Sequence, residues 1–303
     1  MGERSARLCR DPGITVGMLD DTALLATRPV RRMGFGAMQL PGPGVFGPPE
    51  DRDQALAVLR RAVDAGVNHI DTAQFYGPDV ANELIREALH PYPEDLVLVS
   101  KVGAVRDDQG QWLGAQRPDE LRAGVHANLA SLGLDQVPVV NLRRHPESDV
   151  PFAEQLALMN ALRDEGLIGG VGLSNVDLEH YRVARSLTEV ACVQNAFNLA
   201  DTTGQDVFDA CRADGVPFVP FFPLGSAFNA ENPVLGSPAV TDTARRLAAT
   251  PAQVALAWLL HQGPHVLLIP GTSSLQHLEE NLAAADLILD DDAIDALPSP
   301  SPP

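Results

Sequence analysis

The sequence predicts an α/β fold, a (β/α)8 TIM barrel with a short N-terminal cap hairpin. Three observations predict it. Eight short apolar runs are separated by stretches with helical spacing, and strands that alternate with helices pair in parallel through right-handed crossovers. The 303 residues, 45% of them apolar, suffice for one barrel with a sizeable core. No G-x-G-x-x-G follows the first run, which weighs against an open, doubly wound sheet.

Residues 1–29 are expected to form an N-terminal extension, with 14–26 as a small hairpin or cap. The barrel is expected over 30–297 and a flexible, proline-rich tail over 298–303. The runs that read as buried strands are 33–38, 67–71, 96–101, 137–142, 168–174, 190–195, 217–221 and 266–269. The first helix, 51–65, opens with acids and carries Ala55, Leu56, Leu59 and Val63 on one face. Further helices are expected over 118–132, 151–164, 177–186, 204–214 and 251–261. Pro118, Pro151 and Pro251 stand where a first turn tolerates proline.

The charge balance narrows the function. Acidic residues number 40 and basic ones 22, a net charge of −18, which argues against nucleic acid and anionic membrane surfaces as partners. Cys9, Cys192 and Cys211 are odd in number and far apart. They form no disulfide framework and no metal-ligand spacing, so a reducing cytoplasm is expected. Arg4, Arg7 and Arg10 mimic a basic leader, but Asp20 and Asp21 interrupt the apolar stretch that follows. The run 254–260 is too short to span a bilayer.

Lys101 is the sole lysine, and it closes the third apolar run. An ammonium is compact and, unlike a guanidinium, shifts its pKa readily when buried. Asp71 closes the second run, and Tyr76 follows it in the next loop. In such barrels the active site lies where the strands end. One acid, one phenol and one amine on adjacent strand ends make a candidate proton-donating site. A structural ion pair under a loop is the alternative. Asn141, Arg143, Ser174, Asn175, Gln194, Asn195 and Phe221 would ring the same mouth. His69 shares a strand face with Asp71, but no ligand set accompanies it, so packing is expected and no metal.

These residues fall within stretches that resemble the aldo-keto reductases. The matching phrases are Gly34-Phe-Gly-Ala-Met38, Ile70-Asp-Thr-Ala-Gln-Phe-Tyr-Gly77, Val99-Ser-Lys101, Gly172-Leu-Ser-Asn-Val176, Val193-Gln194, Pro220-Phe-Phe-Pro-Leu-Gly225, Ile269-Pro-Gly-Thr-Ser273 and Glu280-Asn281. Each is weak alone; in this order they are specific. The run Gly42-Pro-Gly-Val-Phe-Gly-Pro-Pro49 and the phrase Val140-Asn-Leu-Arg143 are closer to a bacterial subgroup that includes pyridoxal reductases.

The resemblance implies hydride transfer from NADPH, with NADH less favoured, to an aldehyde or ketone, including a pyridoxal-type aldehyde. Tyr76 would be the proton donor, Lys101 the cation beside it and Asp71 the acid that holds Lys101. A free phenol, with a pKa near 10, is a poor acid at neutral pH, and a nearby ammonium stabilises its anion. Ser174, Asn175 and Gln194 would hold the carboxamide, Phe221 would stack on the nicotinamide, and Gly36, Ala37 and Met38 would line the cofactor. Leu224 and Gly225 would follow the pyrophosphate. Gly271, Thr272 and Ser274 would meet the adenosine phosphates, with His277, Glu280 and Asn281 around the ribose and adenine. Trp112 and Phe46 are candidate substrate walls. Trp258 is expected in the core.

Two departures from the family pattern stand out. Arg143 occupies the position of the usual histidine, with His145 as a second candidate, and Gly271 and His277 replace cationic residues. A nucleotide-binding regulatory protein on the same fold is the alternative function.

Overall fold

The computed structural model of the protein describes residues 22–225 and 232–298. Barrel strands β3 (Phe35–Gly36), β4 (His69–Asp71), β5 (Val97–Val102), β8 (Val137–Arg143), β9 (Ile168–Ser174) and β10 (Val190–Gln194) form one sheet. Its order is β10-β9-β8-β5-β4-β3, and every pair is parallel. The ladder continues through single parallel bridges, Val193 to Phe218, Phe218 to Val266, and Leu268 back to Met33. Parallel pairing thus runs through eight strand positions and returns to its start. The expected strands at 217–221 and 266–269 are therefore present only as bridges. Pro217 and Pro220 carry no N–H and interrupt the ladder.

The helices α1 (Arg52–Asp64), α3 (Pro118–Leu132), α4 (Phe152–Asp164), α5 (Leu178–Leu187), α6 (Gln205–Asp214) and α8 (Pro251–His261) lie where expected. Among the described residues α9 (Leu275–Ala283) follows the 271–274 loop, and three more helices, α2 (Val80–Leu89), α7 (Pro238–Arg246) and α10 (Asp291–Ala296), were not anticipated. Side-chain caps fix several starts. Asp51 accepts from the Gln54 N–H and Asp177 from the His180 N–H, while Thr250 and Gln253 form a reciprocal capping box.

The hairpin lies further along the chain than expected. It pairs β1 (Thr22–Leu25) with β2 (Arg28–Arg31), and residues 14–21 of the anticipated cap lie outside the described residues. The Asn68 side chain ties it to the N-terminal ends of the strands, accepting from the Arg31 N–H and donating to the Pro29 carbonyl. Leu25 and Val30 join the apolar cluster of Val97, Val99, Val139, Val219, Leu267 and Ile269. The hairpin thus plugs the barrel floor. A larger second cluster fills the space between sheet and helices, and Trp258 lies in it, 2% exposed.

Candidate active site

The C-terminal ends of β4, β5, β8 and β10 bring four sequence-predicted residues to one cavity of about 790 Å³. Asp71 and Lys101, the last residue of β4 and the penultimate one of β5, are buried together. The Lys101 ammonium donates to Asp71 Oδ1 at 2.5 Å and to the Thr72 carbonyl at 3.0 Å. Gln194 donates to the other carboxylate oxygen, Oδ2, at 2.8 Å. The Lys101 and Asp71 side chains are only 3% and 5% exposed. Burial disfavours the ammonium, but the charges and hydrogen bonds of Asp71 and Tyr76 outweigh it. Its pKa is held above the ordinary 10.5, and Lys101 is a cation at physiological pH.

Tyr76 stands in the loop after β4, with its ring centroid 5.0 Å from the Lys101 ammonium. A tight turn sets the backbone there, in which the Tyr76 N–H donates to the Ala73 carbonyl at 3.0 Å. Gly77 then takes φ +98°, and a Cβ at that position would lie 2.4 Å from Val80, so only glycine completes the turn.

Behind the loop runs a buried polar network that sequence reasoning missed. The Thr72 hydroxyl donates to Asn82, Asn82 donates to Asn128, and Asn128 donates to Gln74 and to the Lys101 carbonyl. Asn82 on α2 and Asn128 on α3 are 0% exposed. A buried, fully satisfied network of this kind fixes one conformation. Its signal in the sequence was an asparagine on an otherwise apolar helix face.

Arg143 ends β8 on the cavity wall. Its guanidinium lies 5.9 Å from the Phe221 ring centroid, and it has no ion pair among the described residues, Asp149 included. Its carbonyl accepts from Gln116 Nε2 at 2.9 Å. His145 does not reach the wall and packs beside Gly114. Trp112 lines the cavity edge-on to Phe75, with ring centroids 5.7 Å apart. Phe46 does not line it. Instead, Arg106 lies between Phe46 and Trp112, 4.0 Å from the tryptophan centroid and 5.3 Å from the phenylalanine. Arg106 also donates to the carbonyls of Gly44, Val45 and Gly110. Arg106 and Phe75 were not anticipated, because nothing in the sequence shows that a hairpin, β6 (Ala104–Arg106) with β7 (Trp112–Gly114), folds over the mouth.

The expected cofactor residues divide into two groups. Gly36, Met38, Gln194, Phe221, Leu224, Gly225, Gly271, Thr272 and His277 line the cavity. Ala37, Ser174, Asn175, Ser274, Glu280 and Asn281 do not. Asn175 is exposed at φ +60° and donates to the Arg144 carbonyl. Ser274 caps α9, Glu280 accepts from Gln276, and Asn281 is buried. Arg61, on α1, is engaged by Glu279. Ser174 is flanked in register by Arg143 and Gln194, and its hydroxyl is buried with no partner among the described residues. That orphaned hydroxyl, in register with Gln194 of the cavity lining, fits the amide of a bound nicotinamide. His69 packs as expected. Burial lowers its pKa to about 4, so it is neutral.

The family model of the aldo/keto reductase family matches residues 32–299. The chain belongs to the aldo-keto reductase family. It is 48% identical over 285 residues to pyridoxine 4-dehydrogenase of Escherichia coli, covering 92% of this chain and 98% of that protein. An uncharacterized oxidoreductase of Schizosaccharomyces pombe is 37% identical, with coverage of 86% and 83%. Among solved structures, an aldo/keto reductase from Klebsiella pneumoniae in complex with NADP and acetate superposes with a TM-score of 0.77 at 26% identity, covering 91% of this chain and 93% of that one. A thermostable aldo-keto reductase in complex with the inhibitor epalrestat gives 0.76 at 29%, covering 92% and 98%. This aldo-keto reductase is an enzyme, an NAD(P)H-dependent oxidoreductase of carbonyl compounds with NADPH as the family's cofactor. No helix among the described residues is long and apolar enough to cross a membrane.

Proposed function

We propose that this protein reduces pyridoxal-type aldehydes with NADPH, and that Tyr76 supplies the proton. The observation that carries this reading is the buried Asp71–Lys101 pair set 5.0 Å from the Tyr76 ring on the floor of the cavity. The substrate class draws support from the relative named pyridoxine 4-dehydrogenase and from the aromatic wall of Phe75 and Trp112.

Phe221, Gln194, Ser174, Leu224, Gly225, Gly271, Thr272 and His277 would hold the cofactor, which would supply a hydride to the carbonyl carbon. Everything else belongs to the chain. As the C=O π bond breaks and its electron pair moves to oxygen, the Tyr76 hydroxyl gives its proton to that oxygen. The alcohol forms and a phenolate remains. Lys101 stabilises that anion because it stays a cation beside it, and Asp71 and the Thr72 carbonyl hold Lys101 in place. Arg143 donates to the carbonyl oxygen from the wall. In the reverse direction the Tyr76 phenolate accepts the alcohol proton.

The test is NADPH oxidation with pyridoxal by the purified protein and by Tyr76→Phe. The variant should melt like the native protein and lose about 100- to 10,000-fold in turnover, the usual contribution of a general acid. Near-native turnover by Tyr76→Phe would remove the assignment.

A further inference from the structure

We infer that Arg143 forms a subsite for an anionic oxygen ortho to the reacting carbonyl, so that the enzyme selects ortho-oxido aromatic aldehydes. This rests on the reading above that the carbonyl oxygen meets Tyr76.

The position of Arg143 comes from strand register. Lys101 pairs with Asn141, and Arg143 is the next residue of β8 on that face. Two residues of strand place its Cα about 6.6 Å further toward the mouth than that of Asn141. The cation that serves the phenol thus lies one layer below, and the guanidinium borders the space where a substrate ring would sit. That space is flanked by aromatic side chains, Trp112 and Phe75 on the wall. A flat ring suits it.

The charge of Arg143 is uncompensated. The chain holds 40 acidic residues, yet none among the described residues pairs with Arg143. The acid on the floor, Asp71, is engaged by Lys101 and Gln194. Half-burying a guanidinium without an anion is unfavourable, so a ligand that brings one gains by it.

Geometry then selects the anion. A guanidinium offers two parallel N–H groups that match two neighbouring oxygens in one plane. An aldehyde with an oxido group on the adjacent ring carbon presents such a pair, its carbonyl oxygen and its oxyanion side by side in the ring plane. A pyridoxal-type aldehyde has this arrangement and is ionised at that oxygen near neutral pH. An imidazole at this position could donate one bond and would leave the oxyanion unmatched.

The test compares 3-hydroxypyridine-4-carbaldehyde, its 3-methoxy ether and pyridine-4-carbaldehyde, none of which can close an internal hemiacetal. The 3-hydroxy compound should exceed the ether by about 10- to 100-fold in kcat/KM, the range of one charge-assisted hydrogen bond. In Arg143→Met all three rates fall and that ratio collapses toward one. Arg143→Lys, which keeps the charge without the fork, should retain part of it. Trp112 gives a readout independent of turnover, because it is 42% exposed on the wall while Trp258 is 2% exposed. The 3-hydroxy alcohol product should quench its emission at lower concentration than the 3-methoxy alcohol, and Arg143→Met should erase the difference. Equal kcat/KM for hydroxy and methoxy aldehydes in the native enzyme, or an ortho preference that survives in Arg143→Met, overturns the subsite and leaves the Tyr76 reading intact. A large rise in the NADPH dissociation constant of Arg143→Met also overturns it, since the cation would then serve the cofactor. Failure to reduce any of the three aldehydes defeats both readings.

Discussion

Lys101→Met is the sharpest perturbation of the floor of the site, because stability and catalysis should respond to different second changes. Methionine keeps most of the side-chain volume and removes the charge. The pair it breaks is nearly water-free, at 3% and 5% exposure with 2.5 Å between charged atoms. At an effective dielectric constant of about 20, that separation gives roughly 6–7 kcal/mol of attraction, and desolvation of the two ions takes back several kcal/mol. The intact pair is thus close to neutral against apolar isosteres, whereas removing one partner typically costs about 3–5 kcal/mol. Gln194 still donates to Asp71, so about 3 kcal/mol is expected for Lys101→Met in chemical denaturation at pH 7. Replacing Asp71 with asparagine as well removes the stranded charge, and the double variant should recover most of that loss. Activity should not recover. It should stay about 100- to 10,000-fold down, since the proton donor has lost the cation that stabilises its anion. The sign in pH follows from the raised Lys101 pKa. The native protein keeps the contribution below 10.5 and loses it as pH rises through the higher folded value, while Lys101→Met should show no such alkaline step. If Lys101→Met is as stable as the native protein and the double variant gains nothing over it, the buried-pair reasoning is wrong. A fully active Lys101→Arg would show that charge alone suffices there.

Arg106→Met should loosen the substrate wall and spare the chemistry. Losing the cation over Trp112, worth about 0.5–2 kcal/mol, should raise KM for aromatic aldehydes by about 3- to 30-fold with kcat nearly kept, and Trp112 emission should shift to the red; unchanged KM and emission would refute it. NADPH should bind more tightly than NADH by about 1 kcal/mol, roughly fivefold, the contribution of one ordinary hydrogen bond. No lysine or arginine stands between Gly271 and Asn281, and Arg61 is engaged by Glu279. Equal dissociation constants in fluorescence titrations would reject that preference.

The strand ends were readable because one residue type at one place carries their chemistry. Lys101 stood out as the lone lysine, and alternation of apolar runs set Asp71 beside it before any geometry was known. What stayed hidden depends on the meeting of distant segments. Asn82 and Asn128 support the Tyr76 loop from two helices, and α2 itself escaped notice although Ala81, Leu84 and Ile85 have helical spacing and are buried. Its entry defeats the usual cues, because Asp79 takes φ +61° and caps no N–H with its side chain. Phe46 looked like a substrate wall by position alone. Arg106 stands between it and Trp112, a contact that no spacing rule contains.

An acidic protein that binds a polyanionic cofactor needs its cations placed rather than numerous. On the outer helices, arginines are matched to acids, Arg52 with Glu87, Arg122 with Glu165 and Arg246 with Asp290. On the cavity floor, Lys101 is balanced by Asp71, so that pair adds almost no net field. Arg143 is left as the unbalanced charge of the wall. On the reading proposed above, the field that selects the substrate would come from this one side chain. That reading separates proton donation from substrate choice. Lys101 and Asp71, buried and fixed by strand ends, would set the first. Arg143 would set the second from the rim, where a single substitution could change the anion recognised without disturbing the proton donor.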